Sequence, residues 1–240
     1  MDFTYDTGLV VLSIAAAILG SFTGLVLTSG IHRVGNREAG LRIILGGLGI
    51  GGGIWSMHFI AMLAVVLPIP LTYDIPLTVI SAAVATVFTA TALWVVGTNR
   101  LRGLSLPISA LFLGLAIAGM HYLGMAAIRG CGLRYTALGV GVSVLIAIQA
   151  SAVALWFTFR HRRVLDTLAG SAALGLAIAS MHYTAMEATR FLPADLPGFE
   201  LSHVLSEPLL ALAIAVTLYS VCSVCLVVFA VLTFGRRSTA

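Results

Sequence analysis

The chain has 240 residues, of which 60% are hydrophobic and 9% charged, with a formal net charge of +4 at pH 7. A soluble domain carries roughly a quarter charged residues, so this composition excludes an ordinary soluble fold and indicates a membrane protein. Every basic residue apart from histidine is arginine, and the positive balance describes loops beside a lipid bilayer and its anionic headgroups, with no nucleic acid as partner.

The apolar runs predict an all-α membrane protein with seven transmembrane helices, at about 8–31, 40–67, 77–97, 106–128, 136–159, 164–188 and 208–234. A spanning barrel would need alternating strands of about ten residues. The N-terminal Met1-Asp2-Phe3-Thr4-Tyr5-Asp6 is acidic where a cleaved signal peptide is basic, and the apolar run after it is too long for a signal core, so the first helix is expected to stay. That helix is rich in Ala, Gly, Ser and Thr, residues that let membrane helices approach closely, and reads as a packing element. The second helix opens on Gly46-Gly47-Leu48-Gly49-Ile50-Gly51-Gly52-Gly53 and reaches Trp55; the turn after it carries Tyr73 and Asp74.

In the third and fifth helices Ser81 matches Ser143 and Ala92-Leu93-Trp94 matches Ala154-Leu155-Trp156, while the fourth and sixth match each other. The repeat unit is therefore expected to be a helical hairpin, at about 8–67, 77–128 and 136–188, with a closing helix at about 208–234 in one integral domain spanning 1–240. An even number of crossings makes the copies parallel. Arg33, Arg37, Arg42, Arg100, Arg102, Arg160, Arg162, Arg163, Arg236 and Arg237 fall in one set of loops, against Arg129, Arg134 and Arg190 in the other. The arginine-rich side is expected to be cytoplasmic, which puts the N-terminus outside and the C-terminus in the cytoplasm.

Three copies of one pattern stand out. Met57-His58-Phe59-Ile60-Ala61-Met62 returns as Met120-His121-Tyr122-Leu123-Gly124-Met125 and as Met181-His182-Tyr183-Thr184-Ala185-Met186. Gly51, Gly114 and Gly175 lie seven residues before the histidines, and Ile54, Ile117 and Ile178 four before. Apart from the initiator, every methionine belongs to a copy. On a helix, His58 shares a face with Met62, His121 with Met125 and His182 with Met186, whereas Met57, Met120 and Met181 point to the side and rank below. The glycines two turns deeper are expected to let the three helices converge, placing His58, His121 and His182 in a ring about a third of the way down from the outer surface.

Ionisable groups within a membrane are functional candidates by default. Neutral imidazole with thioether is a soft donor set that suits Cu(I), and the shortage of nearby carboxylates argues against magnesium, calcium or manganese. A monovalent ion with neutral ligands leaves little net charge in low dielectric. Zinc through histidine alone is the other metal. The plainer alternative has each histidine hydrogen-bonding a neighbouring helix and each methionine filling a gap.

With these motifs the chain resembles, over nearly its whole length, the MHYT family of bacterial integral membrane sensor domains. Gly53-Ile54-Trp55-Ser56-Met57-His58-Phe59, the following Tyr73-Asp74 and the hairpin layout are similar to that family, and Met181-His182-Tyr183-Thr184 is its name motif in full. The resemblance implies copper held by Met57 and His58, Met120 and His121, Met181 and His182 near the outer face of the bacterial cytoplasmic (inner) membrane. It also implies sensing of a diatomic gas, O2, CO or NO. Family members are often fused to cytoplasmic domains that make or degrade cyclic di-GMP; here a separate cytoplasmic or membrane signalling protein is expected to receive the signal. Phe59-Ile60 and Leu123 stand where the name motif has Tyr-Thr, which argues against a ligand role for tyrosine or threonine.

Other residues are weaker candidates. Cys222 and Cys225 have metal or redox spacing but lie deep in the seventh helix and read as packing. Glu187 follows the third motif and is either a partner of a ligating imidazole or a solvated helix-end carboxylate. His203, Asp195 and Glu200 sit in the longest loop, His32 and His161 among arginines, and Trp55 on the face of His58. Three functions compete: a metal-binding sensory module, a copper transporter or conduit with Cys222 and Cys225 as an inner relay, and a metal-free scaffold. No arrangement typical of a hydrolase or kinase is present, so an enzyme is not expected.

Overall fold

A computed structural model describes residues 1, 3–31, 34–98, 102–160, 164–193 and 204–234 of the protein. His32, Arg33, Arg100, His161, Arg162, Arg163, Asp195, Glu200, His203, Arg236 and Arg237, weighed above, lie outside the described residues. Among the described residues seven α-helices run as α1 Thr7–Thr28, α2 Asn36–Leu63, α3 Ile75–Thr98, α4 Ser105–Ala126, α5 Ala137–Arg160, α6 Val164–Glu187 and α7 Glu207–Phe234. Six of them are long and apolar enough to cross a membrane. The remaining helix, α6, is 24 residues long and carries Asp166 and His182 within its span. The chain is a multi-pass membrane protein.

Neighbours in sequence are neighbours in space from α1 to α6, and α6 packs back against α1, so six helices close a ring. The three helices that carry the methionine–histidine motif, α2, α4 and α6, alternate with α1, α3 and α5 and touch one another only lightly. α7 lies outside this ring on α2 and α1. The closing role expected of the seventh helix therefore belongs to the α1–α6 contact: once each motif helix has a flanking helix on both sides, no gap is left for a seventh. α7 keeps a broad apolar face open, with Tyr219 76% exposed, as befits a helix whose solvent is lipid.

Small residues set the spacing of the ring. Gly20 and Gly24 of α1 meet the glycine run of α2 so closely that a Cβ on Gly24 would lie 2.6 Å from the Gly46 carbonyl oxygen. The three repeated glycines behave alike but not as expected. A Cβ on Gly51 would sit 2.7 Å from the Thr86 Cα of α3, on Gly114 2.7 Å from the Ile148 Cα of α5, and on Gly175 2.9 Å from the Ile18 Cα of α1. They admit the intervening helices, and do not draw the motif helices together beneath the histidines. Seven residues bring the chain back to within about 20° of the histidine's face, but two turns deeper the neighbour on that face is a flanking helix.

Among the described residues, seven strands of two to five residues cap one end of the ring. β1 (Thr4–Tyr5) pairs antiparallel with β2 (Val65–Val66), β3 (Thr72–Asp74) with β4 (Ile128–Arg129), and β5 (Cys131–Tyr135) with β6 (Thr189–Pro193). β7 (Val204–Ser206), which leads into α7, adds to the other edge of β3. Each strand entering a hairpin thus pairs with the strand leaving the same hairpin. One hydrogen bond occurs three times at the junctions: the amide of Asp6 to the Ala64 carbonyl at 2.8 Å, of Asp74 to Ala127 at 2.8 Å, and of Thr136 to Ala188 at 3.2 Å. The same three residues cap the helices that follow, accepting from the amides of Leu9 and Leu77 at 2.9 Å and of Gly139 at 3.3 Å. These caps satisfy helix amides that the bilayer boundary would otherwise leave bare. Gly130 turns the chain between β4 and β5 at φ 102°, a conformation that glycine alone adopts readily.

Candidate metal centre

Five residues before the ends of α2, α4 and α6 stand His58, His121 and His182, about 7.5 Å of helix below the cap. Equal depth on three helices of one ring brings the imidazoles face to face. Their Nδ1 atoms form a nearly equilateral triangle: 3.3 Å between His58 and His121, 3.1 Å between His121 and His182, and 3.2 Å between His58 and His182. The ring centroids are 5.0–5.1 Å apart and the planes cross at 76–87°, a three-bladed propeller. All three residues are buried, at 1%, 1% and 2% exposure.

This geometry is awkward for three imidazoles alone. A neutral imidazole carries one proton on one of its two nitrogens. Three Nδ1 atoms aimed at a common point leave room for one proton between them, so at least two lone pairs face each other. The Nε2 atoms are also buried and have no hydrogen-bond partner among the described residues, so neither tautomer is satisfied by protein. The Nδ1 triangle has a different use. With sides of 3.1–3.3 Å its centre lies about 1.9 Å from each nitrogen, close to the ~2.0–2.1 Å of a metal–imidazole bond. These are the three residues that could hold a metal ion among the described His, Cys, Asp and Glu side chains. The donor set, three neutral nitrogens in an apolar surround, fits such an ion.

The six motif methionines are all buried in the same core, Met57, Met125, Met181 and Met186 at 0% and Met62 and Met120 at 1% exposure. Burial does not separate those expected to share the histidine face from those expected at its side. Trp55 is tied to α3 by its indole N–H, which donates to the Thr78 carbonyl at 3.1 Å. Glu187 stands exposed at the end of α6 and lines a pocket of about 460 Å³ with Tyr5 and Arg190; it makes no hydrogen bond to His182, whose Nε2 is unpartnered. Cys222 and Cys225 face α1 and α2, with the Thr23 hydroxyl donating to Cys222 Sγ at 3.6 Å and Cys225 Sγ to the Leu45 carbonyl at 3.5 Å. They fasten α7 to the ring.

Aromatic spokes run from each histidine to the cap, and the sequence reading missed their outer ends. His58 stacks edge-on to Phe59, His121 to Tyr122 and His182 to Tyr183, with centroids 4.7–5.0 Å apart. Each of these rings meets a strand tyrosine in turn: Phe59 meets Tyr73 at 5.8 Å, Tyr122 meets Tyr135 at 5.5 Å, and Tyr183 meets Tyr5 at 5.4 Å. The recurrence of Thr4-Tyr5-Asp6 as Thr72-Tyr73-Asp74 was the available signal. Burial, with Glu187 close by, raises the Tyr5 phenol above its usual range, and burial pushes Tyr135 up to about 12. The hydroxyls of Tyr122 and Tyr183 bond Ser143 at 2.8 Å and Ser13 at 3.0 Å, which leaves them turned toward α5 and α1.

Ring and triad together define a class: a polytopic helical protein with a three-histidine centre buried beneath one face. A family model described as MHYT, bacterial signalling protein N terminal repeat, matches residues 51–107, 114–171 and 175–240, and the chain belongs to this family. The matches start at Gly51, Gly114 and Gly175. Among relatives, the bifunctional diguanylate cyclase/cyclic di-GMP phosphodiesterase MucR of Pseudomonas aeruginosa is 44% identical over 194 residues, 78% of this chain and 28% of the relative. The cyclic di-GMP phosphodiesterase NbdA of the same organism is 38% identical, over 77% of this chain and 24% of the relative. The signaling protein YkoW of Bacillus subtilis is 36% identical, over 78% of this chain and 24% of the relative. The chain thus spans about a quarter of the length of these relatives. No solved structure matches it.

Proposed function

We propose that the chain is the membrane-embedded sensory module of a signalling system, with one copper ion, as Cu(I), held by His58, His121 and His182. The observation that carries this reading is the convergence of three buried Nδ1 atoms 3.1–3.3 Å apart. Met62, Met125 and Met186, then Met57, Met120 and Met181, are the thioethers proposed to complete or shield a soft site. Once bound, such an ion would supply a coordination position for a diatomic gas, O2, CO or NO. The residues do the rest: the propeller fixes the donors, and the buried surround excludes water. The relatives' names support cyclic di-GMP turnover as the output, carried by an attached domain or a separate cytoplasmic or membrane partner. The module itself is proposed to bind and signal without catalysing a reaction. We place it in the bacterial inner membrane with the strand cap outside, because the sequence puts ten arginines in the loops of the other side against Arg129, Arg134 and Arg190 at the cap.

Elemental analysis of detergent-purified protein, beside a variant with His58, His121 and His182 all changed to alanine, tests the centre. One copper per native chain and none in the folded variant is the expected result. Zinc in copper's place would change the metal, and equal content in both would remove the site. Copper uptake into sealed vesicles tests the conduit alternative, and none is expected.

A further inference from the structure

The three hairpins are not equally charged at the cap. The residues entering them read Thr4-Tyr5-Asp6, Thr72-Tyr73-Asp74 and Arg134-Tyr135-Thr136. Eight residues after the histidines, the leaving strands carry Val66, Arg129 and Arg190. In the second hairpin Thr72 is the register partner of Arg129, and Arg129 reaches Asp74 at 3.0 Å, so the cation has an internal counter-ion. In the third, Arg134 is the register partner of Arg190. The third hairpin has gained a cation where the others have threonine and lost the carboxylate to Thr136.

Register partners of an antiparallel pair project from the same side of the ladder, and like charges placed so repel. Both arginines are exposed, and among the described residues no carboxylate pairs with either. Thr136 caps the start of α5, so the positive end of that helix lies beside them. Leu138, one residue into α5, is 79% exposed and Leu192 of β6 38%; apolar surface starts where the guanidinium groups end. Two guanidinium groups held in register at the edge of a lipid-facing surface, neither of them ion-paired among the described residues, present a place for an oxyanion.

We infer that Arg134 and Arg190 form a two-guanidinium clamp for a phosphate oxyanion at the membrane boundary of the cap. Guanidinium presents paired donors that match phosphate oxygens. The phosphate comes from a lipid headgroup or from solution, and the two sources are told apart by competition.

The test uses the whole chain in maltoside detergent, with Arg134→Thr and Thr136→Asp as variants. The first restores the neutral residue of the other hairpins, and the second supplies the counter-ion Arg129 already has while keeping a helix-capping side chain. Native mass spectrometry counts retained phosphatidylglycerol, and thermal melting follows titration with phosphatidylglycerol or inorganic phosphate at fixed ionic strength. The native chain is expected to bind phosphatidylglycerol about tenfold more tightly than either variant, the loss of one charge-assisted contact. Without lipid or phosphate, both variants are expected to melt at or above the native temperature. Displacement of the lipid by inorganic phosphate identifies a free oxyanion as ligand; failure to displace it identifies the headgroup. Equal binding by native protein and variants overturns the inference. So does a lower melting temperature of Thr136→Asp in the lipid-free state.

Discussion

Gly124 of α4 lies directly against the imidazole of His58 on α2: a Cβ at this position would overlap Nε2 and stand 2.6 Å from Cδ2. One motif's small residue is the floor of another motif's histidine. Alanine in a helix ordinarily gains about 1 kcal/mol over glycine. Here the added methyl should move His58 out of the triangle, with a net loss of ~1–3 kcal/mol from overpacking. Gly124→Ala is expected to fold and to lose its metal, read by thermal melting and elemental analysis of the same sample.

The three histidines should act as a unit. With any one removed, the two remaining nitrogens cannot surround an ion, and a polar atom is left facing apolar wall. His58→Ala, His121→Ala and His182→Ala are each expected to reduce bound copper nearly as far as the triple variant. Strong non-additivity of this kind marks residues that share one interaction. Three independent partial losses would refute a common centre.

Asp74 has two jobs, capping α3 and pairing with Arg129, and they can be separated. Asparagine keeps the cap and removes the charge; alanine removes both. The ion pair is about a quarter exposed on each side and should contribute ~0–1 kcal/mol, whereas the cap contributes about 1 kcal/mol. Denaturation should therefore rank Asp74→Asn close to native and Asp74→Ala well below it.

Tyr122 and Tyr183 differ from Phe59 by hydroxyls that bond Ser143 and Ser13. Changing either tyrosine to phenylalanine should cost ~0.5–1.5 kcal/mol of stability and leave metal content unchanged. Loss of metal from Tyr183→Phe would instead make the phenol a ligand.

Cys131 reports which side of the membrane the cap faces. It is the one free cysteine among the three that is not buried, and its partial burial raises its thiol above the usual range. Only the thiolate reacts, so an upward shift means less of it at neutral pH and labelling that climbs about tenfold per pH unit until the raised value is passed. In intact cells a membrane-impermeant maleimide should label Cys131 sluggishly at pH 7 and faster at each step of rising pH. Labelling that requires broken cells would invert the proposed orientation.

Much of this architecture was legible in the chain. The long apolar runs placed six of the helices within a few residues, because twenty residues of uninterrupted hydrophobicity leave little choice, and the less apolar α6 was found by its match to α4. The triplicate histidines at equal distance from their helix ends gave the triad, since equal depth on three neighbours brings them level. Periodicity could not show that Gly51, Gly114 and Gly175 face Thr86, Ile148 and Ile18, because which neighbour fills a face depends on helix tilt. The strands were invisible for another reason: two to five residues are too few for an alternating pattern to register. They were betrayed only by the return of Tyr-Asp at 5–6 and 73–74. The position of α7 outside the ring follows from six helices already closing on themselves, a property of the assembly that no single segment states.

A centre with three equivalent spokes has no preferred direction; whatever happens at it is felt alike along all of them. β7 breaks that equivalence. It pairs with β3 and places Leu205 opposite Tyr73, whose ring leans on Phe59 and through it on His58. The spokes of His121 and His182 end on β5 and β1, which pair with β6 and β2 and, among the described residues, not with β7. The helix outside the ring is thus hitched to one histidine of the three, and the molecule has a handle on one side of an otherwise even-handed wheel.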